Sequence, residues 1–276
     1  MATAKPWLEH TSWGQTSVKC QAMSEDMKAL ELLFDLHKDQ DRQGPGCAAV
    51  TRKAIELAGL DSSQPLRIAD LGCGSGASTL VLAQELNAQI TAVDFAPLFL
   101  DKLKVDAERL GLNRKIEIQQ GSMDELTFAP AELDVIWSEG AIYNLGFERG
   151  VQYCHGFLKP GGVLAVSEAT WLTAERPDEI HQWWTSQYDG IATAAEQIQI
   201  LESNGYALEA YFVEPEHCWM ENYYQPLQQS FDDFLAKHNH GELAKEIIEG
   251  HVEEIAMYQK YKQYYSYGFY IAKKLG

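Results

Sequence analysis

From Leu66 onward the chain reads as short apolar runs rich in β-branched residues, separated by helix-length segments. The runs Leu66 to Leu71, Gln89 to Asp94, Lys115 to Gln120, Leu133 to Ser138 and Gly162 to Glu168 predict five strands. Between them, Thr79 to Leu86, Pro97 to Gly111 and Phe147 to Leu158 predict helices, and the stretch between the third and fourth strands is too short for much helix. Strands alternating with helices through short loops make a parallel sheet covered on both faces, an α/β fold. A helix over about Ala192 to Asn204 and a sixth strand over Ala207 to Glu214 extend the pattern. The alternation then stops. Pro215 to about Lys262 is mostly polar and helical, and Ser266 to Lys273, with Tyr267, Phe269 and Ile271 alternating, predicts a seventh strand after a helical insertion over 215–262.

The segment before this core reads as a helical cap over residues 1–60, resting on a sheet core over 66–214, with a last strand at 266–273. Ser24 followed by Glu25 and Asp26 is a helix-start signal, and Met27, Leu30, Phe34 and His37 recur at helical spacing. Arg42-Gln43-Gly44-Pro45-Gly46 predicts a turn, and a second helix follows over about Ala48 to Ala58, with Val50, Ile55 and Leu57 on its apolar side. No internal repeat or linker divides the chain, so 1–276 is expected to be one domain.

The sharpest chemical signal is Asp70-Leu71-Gly72-Cys73-Gly74-Ser75-Gly76, at the end of the first strand and before a helix. Glycines at alternate positions let the backbone turn tightly and approach a ligand that a Cβ would hold off. The spacing is GxGxG, whereas the dinucleotide fingerprint is GxGxxG, which disfavours a nucleotide-cofactor oxidoreductase. A carboxylate at Asp70 suits a ligand with an ammonium group better than a pyrophosphate. Asp94 ends the second strand, 94 − 76 = 18 residues after the last glycine, where an acid accepts hydrogen bonds from ribose hydroxyls. Lys159-Pro160-Gly161-Gly162 introduces the fifth strand.

With that loop, that acid and that turn, the sequence resembles the class I S-adenosylmethionine-dependent methyltransferases over about Leu66 to Glu214. The resemblance implies a Rossmann-like, seven-stranded sheet ending in an antiparallel strand, with S-adenosyl-L-methionine as cofactor. It implies cofactor contacts from Asp70, Gly72, Gly74, Ser75, Gly76, Asp94 and Phe95. After the third strand, Ser122 or Asp124 would meet the adenine amino group and Met123 would pack on the ring. After the fourth, Glu139 and Tyr143 stand in the loop between cofactor and substrate, as cofactor contact and as candidate catalytic groups that orient or deprotonate a nucleophile. The Arg42 to Gly46 turn, together with Ser138 to Asn144, also resembles a little-characterised bacterial branch acting on small molecules. There Arg42 or Gln43 would lie near the cofactor carboxylate.

Lys and Arg number 22 against 40 Asp and Glu, a formal charge of −18, with no basic cluster to hold nucleic acid or an anionic leaflet. No apolar run approaches a membrane span and MATAKPWLEHTSWGQ is not a signal-peptide pattern, so the chain is expected to be soluble and cytoplasmic, with a small-molecule methyl acceptor as partner. Five scattered cysteines without a CxxC pair argue against disulfides or structural zinc. Cys73 reads as loop filler, and His238 and His240 with Asp232 and Asp233 match no common metal spacing. His155 reads as packed or solvated, whereas His181 and His217 are candidate bases. Trp7, Trp13, Trp171, Trp183, Trp184, Tyr188, Trp219, Tyr223 and Tyr224 predict either aromatic walls around a ligand or the packing face of a helical cap. The alternative to a methyltransferase is a sensor or pseudo-enzyme that binds the cofactor without transferring methyl.

Overall fold

The structure, a computed structural model, describes residues 17–61 and 63–276, with side chains from Met27 onward. Trp7 and Trp13 lie outside the described residues. Helix α1 spans Ser17–His37 and α2 spans Ala48–Leu57. Helix α1 therefore begins seven residues before the Ser24 signal, which falls inside it. The strands are β1 (Leu66–Leu71), β2 (Ala88–Asp94), β3 (Ile116–Gln120), β4 (Leu133–Glu139), β5 (Leu158–Trp171), β6 (Ala192–Thr193), β7 (Tyr206–Val213) and β8 (Tyr265–Lys274). Among them lie α3 (Ala77–Glu85), α4 (Pro97–Arg109), α5 (Phe147–Phe157), α6 (Asp178–Gln187) and α7 (Ala194–Ser203). The insertion consists of α8 (Glu216–Trp219), α9 (Gln225–Gln229), α10 (Phe231–Lys237) and α11 (Glu242–Tyr261).

Seven strands run in the order β3-β2-β1-β4-β5-β8-β7, and an eighth, the two-residue β6, pairs with β5 off that path. The expected count of seven misses β6 because two residues carry no periodicity. Strands β1 to β5 pair in parallel, whereas β8 pairs antiparallel to both β5 and β7. Residues 265–272 of β8 are all buried, as expected of a strand covered on both faces. The Lys159–Gly162 turn is an excursion within β5: Leu133 pairs with Leu158, but Val135 already pairs with Val163.

Local chemistry accounts for the helix boundaries. Pro97 at the first turn of α4 suits a position whose N–H has no helical partner. Thr193 and Glu196 cap α7 reciprocally. Helix α6 has its own signal, Asp178 and Glu179 in the first turn and Ile180 and Trp184 buried four residues apart, which the strand-focused reading passes over.

Two apolar cores lie on opposite sheet faces. One gathers α5 and α7 against residues such as Val166 and Tyr270. The other takes in α2, α3 and the insertion, where the Trp219 and Tyr258 rings stack at 4.6 Å and Trp184, Tyr224 and Tyr265 pack around them. Trp184, Trp219, Tyr223 and Tyr224 are each at most 2% exposed, so these aromatics are packing groups of the helical cap. Helix α1 docks on this layer through His37, buried with its Nε2 3.2 Å from Nε2 of His251 on α11.

Candidate active site

The strand order reverses between β1 and β4, which are neighbours through Ile68–Val135 and Asp70–Trp137. Open α/β sheets bind ligands at the carboxyl ends of such strands, where the two following loops diverge. A cavity of about 510 Å³ lies there, within the roughly 300–1,000 Å³ range of small-ligand sites. Arg42, Gln43, Gly72, Gly74, Asp94, Phe95, Ser122, Met123, Asp124, Glu139 and Tyr143 all line it. Loops after four different strands and the turn after α1 thus converge on one space.

Gly74, with φ +54, brings the loop against the turn: a Cβ there would sit 2.3 Å from Gln43 Oε1. That oxygen accepts from the Ser75 N–H at 2.8 Å, and Ser75 Oγ donates to the Asp41 carbonyl at 2.9 Å. Ser75 is therefore not on the cavity wall but fastens the 38–46 strap to the glycine loop. Gly76, φ +85, also lies off the wall; its missing Cβ makes room for Leu103 of α4.

Asp94 is held by the loop it faces. Its Oδ2 accepts the Gly74 N–H at 2.8 Å and its Oδ1 the Ala96 N–H at 2.9 Å. Burial raises its carboxyl above the ordinary range and those backbone donors oppose the rise. Asp70 lies one layer below the wall, fully buried, with Oδ2 accepting from Ser78 and Thr79 and Oδ1 without a partner. Burial pushes its carboxyl up to about 7, against the pull of the two hydroxyls.

On the opposite side, Glu139 accepts from Arg42 Nη1 at 2.8 Å, Thr51 Oγ1 at 2.7 Å and Trp137 Nε1 at 3.0 Å. Its side chain is 5% exposed and that of Arg42 is 12% exposed, so this is a buried ion pair. Tyr143 packs edge-on against Tyr188, and burial together with nearby Glu168 pushes its phenol up to about 12. Behind it, Glu168 Oε2, Tyr188 Oη and Tyr267 Oη are buried without partners. Ser122 donates to the Asp124 carboxylate. Phe95, although 53% exposed, meets Phe34 edge-on at 5.2 Å.

Sequence reasoning missed the contribution of α1, whose Leu30, Leu33 and Phe34 line the cavity. Their helical spacing was legible, but an apolar stripe facing a ligand is indistinguishable from one facing a core. The proposed bases His181 and His217 are not on the wall: His181 lies near Trp171, and His217 Nε2 lies 3.6 Å from Cys47 Sγ. His155 packs edge-on against Tyr206, and His238 pairs with Asp35. Among the described residues, no helix is long and apolar enough to cross a membrane.

Residues 68–162 match the methyltransferase-domain family. The malonyl-[acyl-carrier protein] O-methyltransferase of Dechloromonas aromatica is 29% identical over 123 residues, 44% of this chain and 44% of that protein. The chain spans only about a quarter to under a half of the length of the curated relatives it matches first. A Geobacter sulfurreducens SAM-dependent methyltransferase solved with S-adenosyl-L-homocysteine superposes with TM-score 0.77 at 18% identity, covering 88% of this chain and 98% of that one. The [4+2]-cyclase SpnF superposes with TM-score 0.72 at 19% identity, covering 96% and 98%. Residues 68–162 are thus a methyltransferase domain, set in the fold of the class I S-adenosylmethionine-dependent methyltransferases.

Proposed function

We propose that this chain binds S-adenosylmethionine in the cavity between β1 and β4 and directs methyl transfer to a small-molecule acceptor. The observation that carries this reading is Asp94. A carboxylate has about four lone-pair directions, and backbone N–H groups of Gly74, Ala96 and Phe95 do not fill them on Asp94, which leaves acceptor capacity for a ribose hydroxyl at the cavity edge. The glycine loop that a Cβ would obstruct, and an apolar wall of Phe95, Phe99 and Met123, fit the rest of a nucleoside.

In this reading Phe95, Ser122 and Met123 flank the adenine, and Arg42 and Gln43 stand at the methionine carboxylate. Asp70, beneath the glycine loop, favours the ammonium group. When bound, the cofactor supplies an activated methyl group on a sulfonium centre. Glu139 already accepts three hydrogen bonds, so its role is to position Arg42. Tyr143 is a protonated phenol at neutral pH and orients the acceptor by hydrogen bonding. The loop after β4 therefore offers no free base, which supports an acceptor atom that is nucleophilic without prior deprotonation and releases its proton to solvent after attack. The strap, α1 and the loop shield this chemistry from water.

The same lack of a base supports a second reading, cofactor binding without transfer, and SpnF carries a cyclase on this fold. Titration calorimetry with S-adenosylmethionine, S-adenosylhomocysteine and NAD tests the cofactor. Binding of NAD and of neither sulfur compound would overturn the proposal. Labelled-methyl turnover against a metabolite extract, with product identification by mass spectrometry, separates the two readings: binding without any labelled product favours the sensor.

A further inference from the structure

Cys47, His217 and Cys218 come together although the first lies 170 residues before the second. One ligand atom from each, the two sulfurs and an imidazole nitrogen, all lie within 4.8 Å of one another. Among the described residues this is the one group of three or more such side chains placed to share an ion. Zinc bonds of about 2.3 Å to sulfur and 2.0–2.1 Å to nitrogen, at tetrahedral angles, set sulfur and nitrogen roughly 3.6 Å apart. Cys47 Sγ and His217 Nε2 are 3.6 Å apart.

The backbone holds these ligands in place without a metal. The Gly46 N–H donates to the Cys218 carbonyl at 3.3 Å, and Asn222 Nδ2 donates to the Gly46 carbonyl at 3.2 Å. Cys218 is buried, Cys47 half-buried and His217 exposed, so an ion reaches the site from the His217 side.

We propose that Cys47, His217 and Cys218 form a zinc site that ties the strap to the helical insertion. Both cysteines bind as thiolates, each giving its proton to solvent, and the imidazole binds neutral. Three protein ligands leave the fourth tetrahedral position to water. The ion would fasten the end of the strap that carries Arg42 and Gln43, and so hold one wall of the cavity. This assignment is independent of which ligand the cavity takes.

The test uses the full chain without a polyhistidine tag, reduced and stripped with a chelator, then titrated with zinc ion against a chromophoric competitor. One zinc per chain is expected, with a thiolate-to-metal band when cobalt is substituted. Because outer partners of metal ligands alone change affinity 10–100-fold, loss of a ligand in His217→Ala should weaken zinc at least about hundredfold. That residue is exposed, so the variant folds and the test does not depend on the buried Cys218→Ser. Zinc binding unchanged in His217→Ala, or no zinc retained by the reduced protein, would overturn the site. So would a Cys47–Cys218 disulfide that forms in preference to metal binding.

Discussion

Removing either partner of the buried Arg42–Glu139 pair should destabilise the chain by about 3 kcal/mol, and removing both should cost hardly more. Glu139→Gln keeps the acceptor for Thr51 and Trp137 but turns an amide donor toward Arg42 Nη1, now 2.8 Å from another donor. Arg42 cannot shed its charge, so relief must come from Glu214, whose unpartnered carboxyl feels both groups. Arg42→Gln instead leaves the buried Glu139 carboxylate with only its Thr51 and Trp137 donors. At an effective dielectric constant of 20 a contact of this length corresponds to several kcal/mol, and relaxation of the neighbours reduces it to a coupling of about 2–4 kcal/mol. Urea denaturation of the wild type, both single variants and the double variant at pH 7 reads this directly, provided the m-values agree. Additive losses, with coupling below about 0.5 kcal/mol, would refute the account of the pair and with it the positioning role of Glu139.

Three further outcomes are expected. Asp94→Ala should weaken S-adenosylhomocysteine by about 1–3 kcal/mol, roughly 5- to 150-fold in Kd by calorimetry, through lost charge-assisted hydrogen bonds; unchanged affinity would remove Asp94 from the site. Gly76→Ala places a Cβ 2.2 Å from Leu103 Cδ1 at φ +85, and left-handed strain with overpacking should lower stability by about 2–4 kcal/mol in chemical denaturation. The Asp70 carboxyl is raised from 3.8 to about 7 and that of Glu168 from 4.5 to about 8. The folded state therefore binds more protons than the unfolded one between these limits, and stability present below about pH 4 is lost as pH rises toward 8. For Asp70 this amounts to on the order of 4 kcal/mol, so the unliganded protein should denature at lower urea at pH 8 than at pH 5.5. Asp70→Asn should flatten that profile.

The sheet core was legible because its strands are buried on two faces and bounded by glycine, proline and acidic punctuation. Strand limits at Leu66, Leu71 and Asp94 coincide with those observed. The cavity lining was legible wherever a residue sits at the carboxyl end of a parallel strand, since topology alone brings those loops together. Partnership across long separations was not. Nothing in the spacing shows that Glu139 spends its acceptor capacity on Arg42, Thr51 and Trp137, or that Ser75 grips Gln43 rather than a ligand. The convergence of Cys47 on His217 and Cys218 is hidden for the same reason. Asp70 shows the reverse limit: the motif sets it at the end of β1, but burial puts it behind the wall.

Strand β8 enters the sheet between β5 and β7, both earlier in the chain. Until residues 265–274 are available, the inner edges of β5 and β7 stand open. The cavity floor can form from local βαβ units, whereas its covering depends on contacts more than 200 residues apart. Closure of so non-local a topology is slow relative to formation of its helices. A partly folded species with the cavity floor formed and its roof absent is therefore the expected kinetic intermediate, and an open sheet edge is its route to aggregation.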